Sequence, residues 1–153
     1  KELAVRHELM KKVNDIDALE TILEHKDVLG SPHQKSFYLQ KYIKKPGRDI
    51  RSFVIDGITI CAIYRDSSHW ITNTARGGIA TNCPVTKELS NISKKASDAV
   101  GGGILSMDVF ETEDGLQINE INHTTEFKNS EKPTNTSISG AIVEYCVKVV
   151  KNL

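Results

Sequence analysis

The segment ILSMDVFETEDGLQINEIN, residues 104–122, decides the fold predicted for this chain. Two short apolar runs, Ile104 to Glu111 and Leu116 to Ile121, flank the sequence Thr112-Glu113-Asp114-Gly115. An Asp-Gly pair between apolar runs is typical of a tight β-turn. We therefore expect two antiparallel strands, whose side chains alternate between the two faces of a sheet.

Three side chains of this hairpin that carry oxygen atoms are expected to share one face. Glu120 and Asn122 are two apart on the second strand, and Asp108 joins them from the first strand. Mg²⁺ takes a few protein oxygens and fills its remaining octahedral positions with water and nucleotide phosphates. The pattern predicts a magnesium site that serves ATP. The alternative is that Asp108 and Glu120 are ordinary solvent-facing residues.

The composition is that of one domain without a strong charge of either sign. The 153 residues are enough to bury a core without cross-links. Twenty basic and twenty acidic side chains cancel, so no overall field attracts nucleic acid or a membrane, and no apolar run is long enough to span one. An odd number of cysteines without metal-ligand spacing indicates reduced thiols in a cytoplasmic protein. Cys61 and Cys146 are expected to fill the core.

Hydrophobic periodicity and turn signals predict an α+β fold, with an antiparallel sheet and helices packed on one side. A polar stretch, Asp66 to Asn82, is predicted to be a functional loop, because long loops in compact domains tend to carry function or be disordered. The other predicted elements are a strand at Glu8–Val13, a helix at Asp15–His25, strands at Ser36–Ile43, Asp49–Val54 and Ile58–Tyr64 that form a meander, a helix from Thr86 to the glycines at 101–103, and a final helix from Ser137 to about Val150.

Seven motifs in a fixed order resemble the C-terminal part of the RimK-type ATP-grasp ligases, most closely the branch that acts in lysine biosynthesis. They extend over roughly residues 12–150. The motifs are Gln40-Lys-Tyr-Ile, Gly47-Arg-Asp-Ile-Arg, His69-Trp-Ile-Thr-Asn-Thr-Ala-Arg-Gly-Gly, Gly101-Gly-Gly, Met107-Asp-Val-Phe, Asn119-Glu-Ile-Asn and His123-Thr-Thr-Glu-Phe-Lys-Asn. By this resemblance, residues 1–153 form the C-terminal part of an ATP-grasp domain.

The resemblance implies an enzyme that joins a carboxylate to an amine with ATP and a pair of Mg²⁺ ions. The carboxylate first takes the γ-phosphoryl group to give an acyl phosphate, and the amine then displaces phosphate. In the lysine branch, the amine belongs to α-aminoadipate and the carboxylate to the C-terminal glutamate of a small acidic amino-group carrier protein. The arginine branch uses glutamate instead, and both acceptors stay open. Relatives are commonly dimers or tetramers, so a homo-oligomer is expected.

The same resemblance assigns roles to individual residues. Arg65 and Arg76, expected on or beside the long loop, would neutralise the γ-phosphate, and Asn73 would contact the phosphates. Asp49 matches a position near the ribose; the alternative is a solvated Asp49 or one in a salt bridge, for example to Arg51. Adenine would lie against Gln40, Lys41, Tyr42 and Ile43, and the amino-acid substrate against His123, Thr125, Glu126, Lys128 and Asn129.

The match fails at the N-terminus of the chain. Family members carry a glycine-rich loop over the triphosphate, whereas Ala4 to Glu8 contain no glycine and cannot form such a backbone cradle. We therefore expect these 153 residues alone to bind nucleotide weakly and not to turn over. Two alternatives remain: a RimK-type ligase that adds glutamate to a protein or a small molecule, and a non-catalytic interaction module that kept the fold.

Overall fold

The computed structural model describes residues 12–67, 72 and 79–152. They belong to two compact units, which divide between Ile43 and Lys44. Over these described ranges, no helix is both long enough and apolar enough to cross a membrane.

The described part of the first unit contains one α-helix, α1 (Ile16–Leu29), and a short 3-10 turn at Pro32–Gln34. Asp15 caps α1, because its carboxylate accepts a hydrogen bond of 2.8 Å from the backbone N–H of Ala18. The helix extends beyond His25, its predicted end. Most of the strand predicted at residues 8–13 lies outside the described residues.

The second unit is built on a five-stranded antiparallel sheet with the strand order β3-β2-β1-β4-β5. Two hairpins, β1–β2 and β4–β5, are joined in the middle of the sheet by the pairing of β1 with β4. The elements in chain order are β1 (Arg48–Ile55), β2 (Ile58–Asp66), β3 (Ile79–Cys83), α2 (Lys87–Ala99), β4 (Ile104–Thr112), β5 (Gly115–Asn122), α3 (Glu131–Thr134) and α4 (Ile138–Lys151).

Both predicted hairpins are confirmed, and local turn chemistry explains them. Asp56 and Gly57 connect β1 to β2 with φ angles of 54° and 75°, and a two-residue hairpin loop requires such positive values. Glu113 and Asp114 connect β4 to β5, and Gly115 follows with a φ angle of 103°. These turns fix the register of both strand pairs.

Strand β3 lies mostly within the segment that the sequence predicted to be a loop, so that prediction is wrong at its C-terminal end. The strand pairs with β2, with Arg65 opposite Ala80 and Ala62 opposite Cys83. Most of its five side chains are exposed. So short and polar a segment has little hydrophobic periodicity of its own, so it becomes a strand because its backbone pairs with the edge of β2.

The strand predicted at Ser36–Ile43 does not form, and the meander built around it is wrong. A strand needs a neighbour that takes up its backbone N–H and C=O groups. Both edges of β1, the next strand in the chain, are occupied by β2 and β4. The apolar side chains of Phe37, Tyr38 and Leu39 are correspondingly exposed.

Each face of the sheet is covered by a helix. On one face, Val54 and Met107 form a buried cluster with Leu89 of α2, and on the other, Phe53 packs with Ile138 of α4. Phe53 and Val54 are neighbours on β1 and are both buried, so both faces of the sheet are apolar and need a cover. The α+β class with an antiparallel sheet is confirmed, but the helices are divided between the two faces instead of packing on one.

The cysteine prediction is right for Cys61, which is buried, and wrong for Cys146, which is exposed. Helix α4 is anchored to the sheet through Ile138 in its first turn, and Ile142 packs against the same cluster one turn later. Cys146 lies a further turn along the helix, beyond this contact. The apolar pattern of α4 therefore continues past the part of the helix that the sheet covers.

Candidate functional site

The register of the β4–β5 hairpin brings the three predicted metal ligands to one face. Asp108 lies directly opposite Glu120, and Ser106 lies opposite Asn122. Paired residues project from the same face, so Asp108, Glu120 and Asn122 are neighbours there. Asp108 is buried, Glu120 is exposed and Asn122 is half-buried. Their role as metal ligands stays a prediction.

Two guanidinium groups hold the Asp108 carboxylate. Arg51, directly opposite on β1, donates from Nε to Oδ1 at 2.9 Å and from Nη2 to Oδ2 at 3.2 Å. Arg65 of β2 places Nη2 3.0 Å from Oδ2. Burial alone would raise the pKa of Asp108, but the positive charges of Arg65 and Arg51 outweigh it and hold this pKa below its ordinary value. Asp108 is therefore ionised at neutral pH.

Asp49 is a second buried carboxylate on the same face. Arg65 donates from Nε to Oδ1 of Asp49 at 2.6 Å, and the hydroxyl of Thr72 donates to Oδ2. The ammonium of Lys45 lies 3.5 Å from the same Oδ2 and donates to the Thr72 hydroxyl at 2.5 Å. The charged network of this site thus consists of Lys45, Asp49, Arg51, Arg65 and Asp108.

Three cations and two carboxylates give the charged network an excess of positive charge. Burial lowers the pKa of Lys45 below its ordinary value, although the Asp49 carboxylate opposes this. Burial acts in the same direction on Arg65, but Asp108 and Asp49 outweigh it and raise the pKa of that guanidinium. A buried excess of cations favours the binding of an anionic group beside them.

One expectation about the charged network, a salt bridge between Asp49 and Arg51, is wrong. Asp49 is salt-bridged to Arg65 and Lys45 and not to Arg51, because the register places Asp49 opposite Arg65 and Arg51 opposite Asp108. Arg65 was expected on or beside the long loop; it lies beside it, as a buried residue near the end of β2. It reaches the β4–β5 hairpin through Asp108.

A small cleft of about 30 Å³, room for one water-sized group, opens beside the charged network. Three of the five predicted substrate residues, Glu126, Lys128 and Asn129, line the cleft together with both arginines. Thr125, a fourth, has a buried hydroxyl without a hydrogen-bond partner among the described residues. His123 does not line the cleft. The lining residues are Arg51, Ile63, Arg65, Glu126, Lys128, Asn129 and Ser130.

The other predicted site residues lie elsewhere. Asn73 and Arg76 are outside the described residues. The predicted adenine contacts belong to the first unit and form no strand there; they are Gln40, Lys41, Tyr42 and Ile43. Within that unit, the Lys12 ammonium lies 3.8 Å from the centre of the Tyr42 ring.

Sequence reasoning missed three members of the site. For Arg51 a signal existed, because Asp49 and Arg51 are two apart on a predicted strand and must share a face. Lys45 and Thr72 carried no such signal, since their contact joins residues that are 27 positions apart. Only the folded sheet brings them together.

Comparison with known proteins identifies the family. The profile of the RimK-like ATP-grasp domain matches residues 11–146 of this chain. The chain belongs to the RimK-like ATP-grasp family. It is 34% identical over 145 residues to the α-aminoadipate–LysW ligase LysX of Saccharolobus solfataricus, an alignment that covers 94% of this chain and 53% of LysX. It is 33% identical over 141 residues to the glutamate–LysW ligase ArgX of Sulfurisphaera tokodaii, covering 90% of this chain and 50% of ArgX.

The chain spans about half the length of the curated relatives it matches. Its fold also resembles that of the D-alanine–D-alanine ligase of Bacillus anthracis, whose structure was solved with ATP. The TM-score is 0.57 at 20% identity, and the match covers 92% of this chain and 50% of that one. At this identity the similarity establishes the shared ATP-grasp fold alone.

The donor set on the β4–β5 hairpin fits the cation expected in this family. Asp108 and Glu120 supply carboxylate oxygens and Asn122 an amide oxygen, which are the hard ligands that Mg²⁺ prefers. Among the described residues, no group of three or more His, Cys, Asp or Glu side chains is arranged to hold a metal ion. An ion at this hairpin would therefore depend on the amide as well as on both carboxylates.

Proposed function

We propose that this chain is part of an ATP- and Mg²⁺-dependent ligase that joins the amine of α-aminoadipate to the C-terminal glutamate of an amino-group carrier protein. The observation that carries the proposal is the placement of Asp108, Glu120 and Asn122 on one sheet face, in a chain that is 34% identical to LysX over 94% of its length. The two arginines beside them, the buried Arg65 and the partly buried Arg51, support it.

Mg²⁺ would neutralise and orient the ATP phosphates at this site. Asp108 and Glu120 would hold a pair of ions through their carboxylates, and Asn122 through its amide oxygen. Asp108 is suited to this role because Arg51 and Arg65 keep it ionised and fixed in position. Glu120, which is exposed, is accessible to solvent ions.

In the proposed reaction, the P–O bond to ADP breaks and a P–O bond to the carrier carboxylate forms. The substrate amine then attacks the acyl carbon, loses a proton, and expels phosphate. Arg65 would stabilise the charge on the transferred group, with Arg76 and Asn73 as further phosphate contacts. The positive excess of the charged network supports this assignment for Arg65.

The amino-acid substrate would bind at the segment that follows β5. Glu126 is proposed to pair with its ammonium and Lys128 with a carboxylate, and Asn129 lies in the same cleft. His123 and Thr125 would be neighbouring contacts. Adenine would lie against residues 40–43 and the ribose near Asp49. The ligase would assemble as a homo-oligomer.

Glutamate is the alternative acceptor, because ArgX is nearly as similar to this chain as LysX is. The two amino acids differ by one methylene group, which is worth only about 1–3 kcal/mol in a binding pocket. A RimK-type ligase that adds glutamate to another molecule is a further alternative. Each acceptor gives a product of different mass, so one assay separates them.

The test is a ligation assay with the protein expressed from its natural gene. The protein is incubated with ATP, Mg²⁺, a carrier protein that ends in glutamate, and either amino acid, and the mass of the carrier is measured. We expect an adduct with α-aminoadipate that requires both ATP and Mg²⁺. Faster modification with glutamate would establish the alternative, and an unmodified carrier with both amino acids would reject a carrier ligase.

The matched variants are Glu120→Gln and Glu113→Gln, which change two exposed glutamates of the same hairpin. Glu120→Gln should abolish ligation because it removes a metal-binding carboxylate. Glu113→Gln alters the turn, away from the proposed ligands, and should leave ligation unchanged. A fully active Glu120→Gln protein would contradict the metal assignment.

A further inference from the structure

Lys45 is a buried cation to which the proposed mechanism assigns no role. Its side chain is only 9% exposed, and its ammonium also lies 4.9 Å from the centre of the Phe110 ring. Burying an ammonium group is unfavourable unless it gains close polar partners. Lys45 has two such partners, Asp49 and Thr72, and Asp49 in turn contacts Arg65.

A continuous set of contacts connects Lys45 to Arg65. The ammonium donates to the Thr72 hydroxyl at 2.5 Å, and this hydroxyl donates to Oδ2 of Asp49. The other oxygen of Asp49, Oδ1, accepts from Nε of Arg65 at 2.6 Å. One oxygen of the carboxylate is thus held from the Lys45 side while the other holds the arginine, so the orientation of Asp49 determines the orientation of Arg65.

We propose that Lys45 is a positioning residue, which acts with the Thr72 hydroxyl to fix the Asp49 carboxylate and, through it, the guanidinium of Arg65. This inference rests on the proposed function, in which Arg65 stabilises the transferred phosphoryl group. A guanidinium is planar, and its donors keep a fixed relative geometry, so holding Nε in one direction also directs Nη2 toward Asp108 and the cleft.

The alternative role for Lys45, in which it only neutralises the charge of Asp49, predicts a different outcome. Neutralisation would not require the Thr72 hydroxyl, because Arg65 already supplies a positive charge 2.6 Å from Asp49. Positioning does require it, because the hydroxyl is the group that links the ammonium to Oδ2. Removing the Thr72 hydroxyl therefore distinguishes positioning from neutralisation.

The test uses the intact protein and two matched pairs of variants. Lys45→Met removes the buried ammonium, and Lys44→Met removes the exposed lysine beside it. Thr72→Val removes the hydroxyl with little change in shape, and Thr72→Ser retains it. For each variant, NMR measures the hydrogen-exchange rate of the Arg65 Nε–H, and the ligation assay measures kcat and the KM for ATP.

Positioning predicts that Lys45→Met and Thr72→Val each accelerate exchange of the Arg65 Nε–H and lower kcat by about tenfold or more, with little change in KM. Lys44→Met should match the wild type, and Thr72→Ser should restore most of what Thr72→Val loses. Exchange that is equally slow in Thr72→Val and Thr72→Ser would overturn the inference.

The exchange measurement decides the inference separately from the proposed function. If the wild-type protein modifies no carrier, the proposed function fails, while the exchange rates still report whether Lys45 and Thr72 fix Arg65. If Lys45→Met does not fold, the Thr72 pair decides alone, because it changes one hydroxyl group and leaves every charge in place.

Discussion

Replacing Asp108 with asparagine tests whether the charged network is a structural as well as a chemical feature of the sheet. The side chain of Asp108 is 11% exposed, that of Arg51 18% and that of Arg65 5%. Removing one partner of a buried ion pair costs about 3–5 kcal/mol, because the remaining charges stay buried without compensation. An asparagine keeps one acceptor oxygen, so we expect a loss of about 3 kcal/mol, at the lower end of that range.

Two other variants calibrate this value on the same sheet. Glu111 makes a bidentate pair with Arg48 at 2.7 and 2.9 Å, but the two side chains are 26% and 36% exposed. Glu111→Gln should therefore cost only about 1 kcal/mol. Glu120→Gln changes an exposed residue and should alter stability by no more than about 0.5 kcal/mol.

The assay is urea unfolding followed by circular dichroism at neutral pH without divalent cations. The expected order of destabilisation is Asp108→Asn, then Glu111→Gln, then Glu120→Gln. The reasoning would be refuted if Asp108→Asn were as stable as the wild type, or lost less stability than Glu111→Gln does.

Three further predictions follow from burial and charge. The pKa of Asp108 is lower in the folded protein than in the unfolded chain. Its ionised carboxylate therefore stabilises the fold above its ordinary pKa of about 4, and this stabilisation is lost as the pH falls through the lower, folded-state pKa. Asp108→Asn should accordingly flatten the acid side of a stability–pH curve. Burial raises the pKa of Cys61 and of Cys83, whereas Cys146 is exposed, so a thiol reagent should modify Cys146 in the native protein and the other two only in urea. Leu89 is 1% exposed in the core beneath α2, and Leu89→Ala should cost about 2–5 kcal/mol in thermal or urea unfolding without changing the helix content of the native state.

The parts of the fold that the sequence predicted correctly are those with local causes. Asp56-Gly57 and Asp114-Gly115 each specify a tight turn, and the turn then sets which residues oppose each other. Thr86 similarly begins α2 through a hydrogen bond of 3.1 Å with the backbone N–H of Leu89. The prediction that Asp108 and Glu120 share one face followed from the alternation of side chains along a strand and from the Asp114-Gly115 turn.

The errors arise where distant parts of the chain decide the outcome. Strand β3 forms because β2 offers it an edge, and residues 36–43 form no strand because β1 offers none. Asp49 pairs with Arg65 instead of the nearer Arg51, since cross-strand register brings Arg65 opposite and gives Arg51 to Asp108. Cys146 continues an apolar pattern beyond the reach of the sheet. None of these outcomes can be predicted from the local sequence.

The most direct test of the central claim is calorimetric titration of ATP into the intact protein, with and without Mg²⁺. If oxygens of Asp108, Glu120 and Asn122 hold the cations under the phosphates, ATP should bind much more tightly with Mg²⁺, and Glu120→Gln should lose that difference while Glu113→Gln keeps it. ATP binding that depends on Mg²⁺ to the same extent in Glu120→Gln and in the wild type would contradict the account.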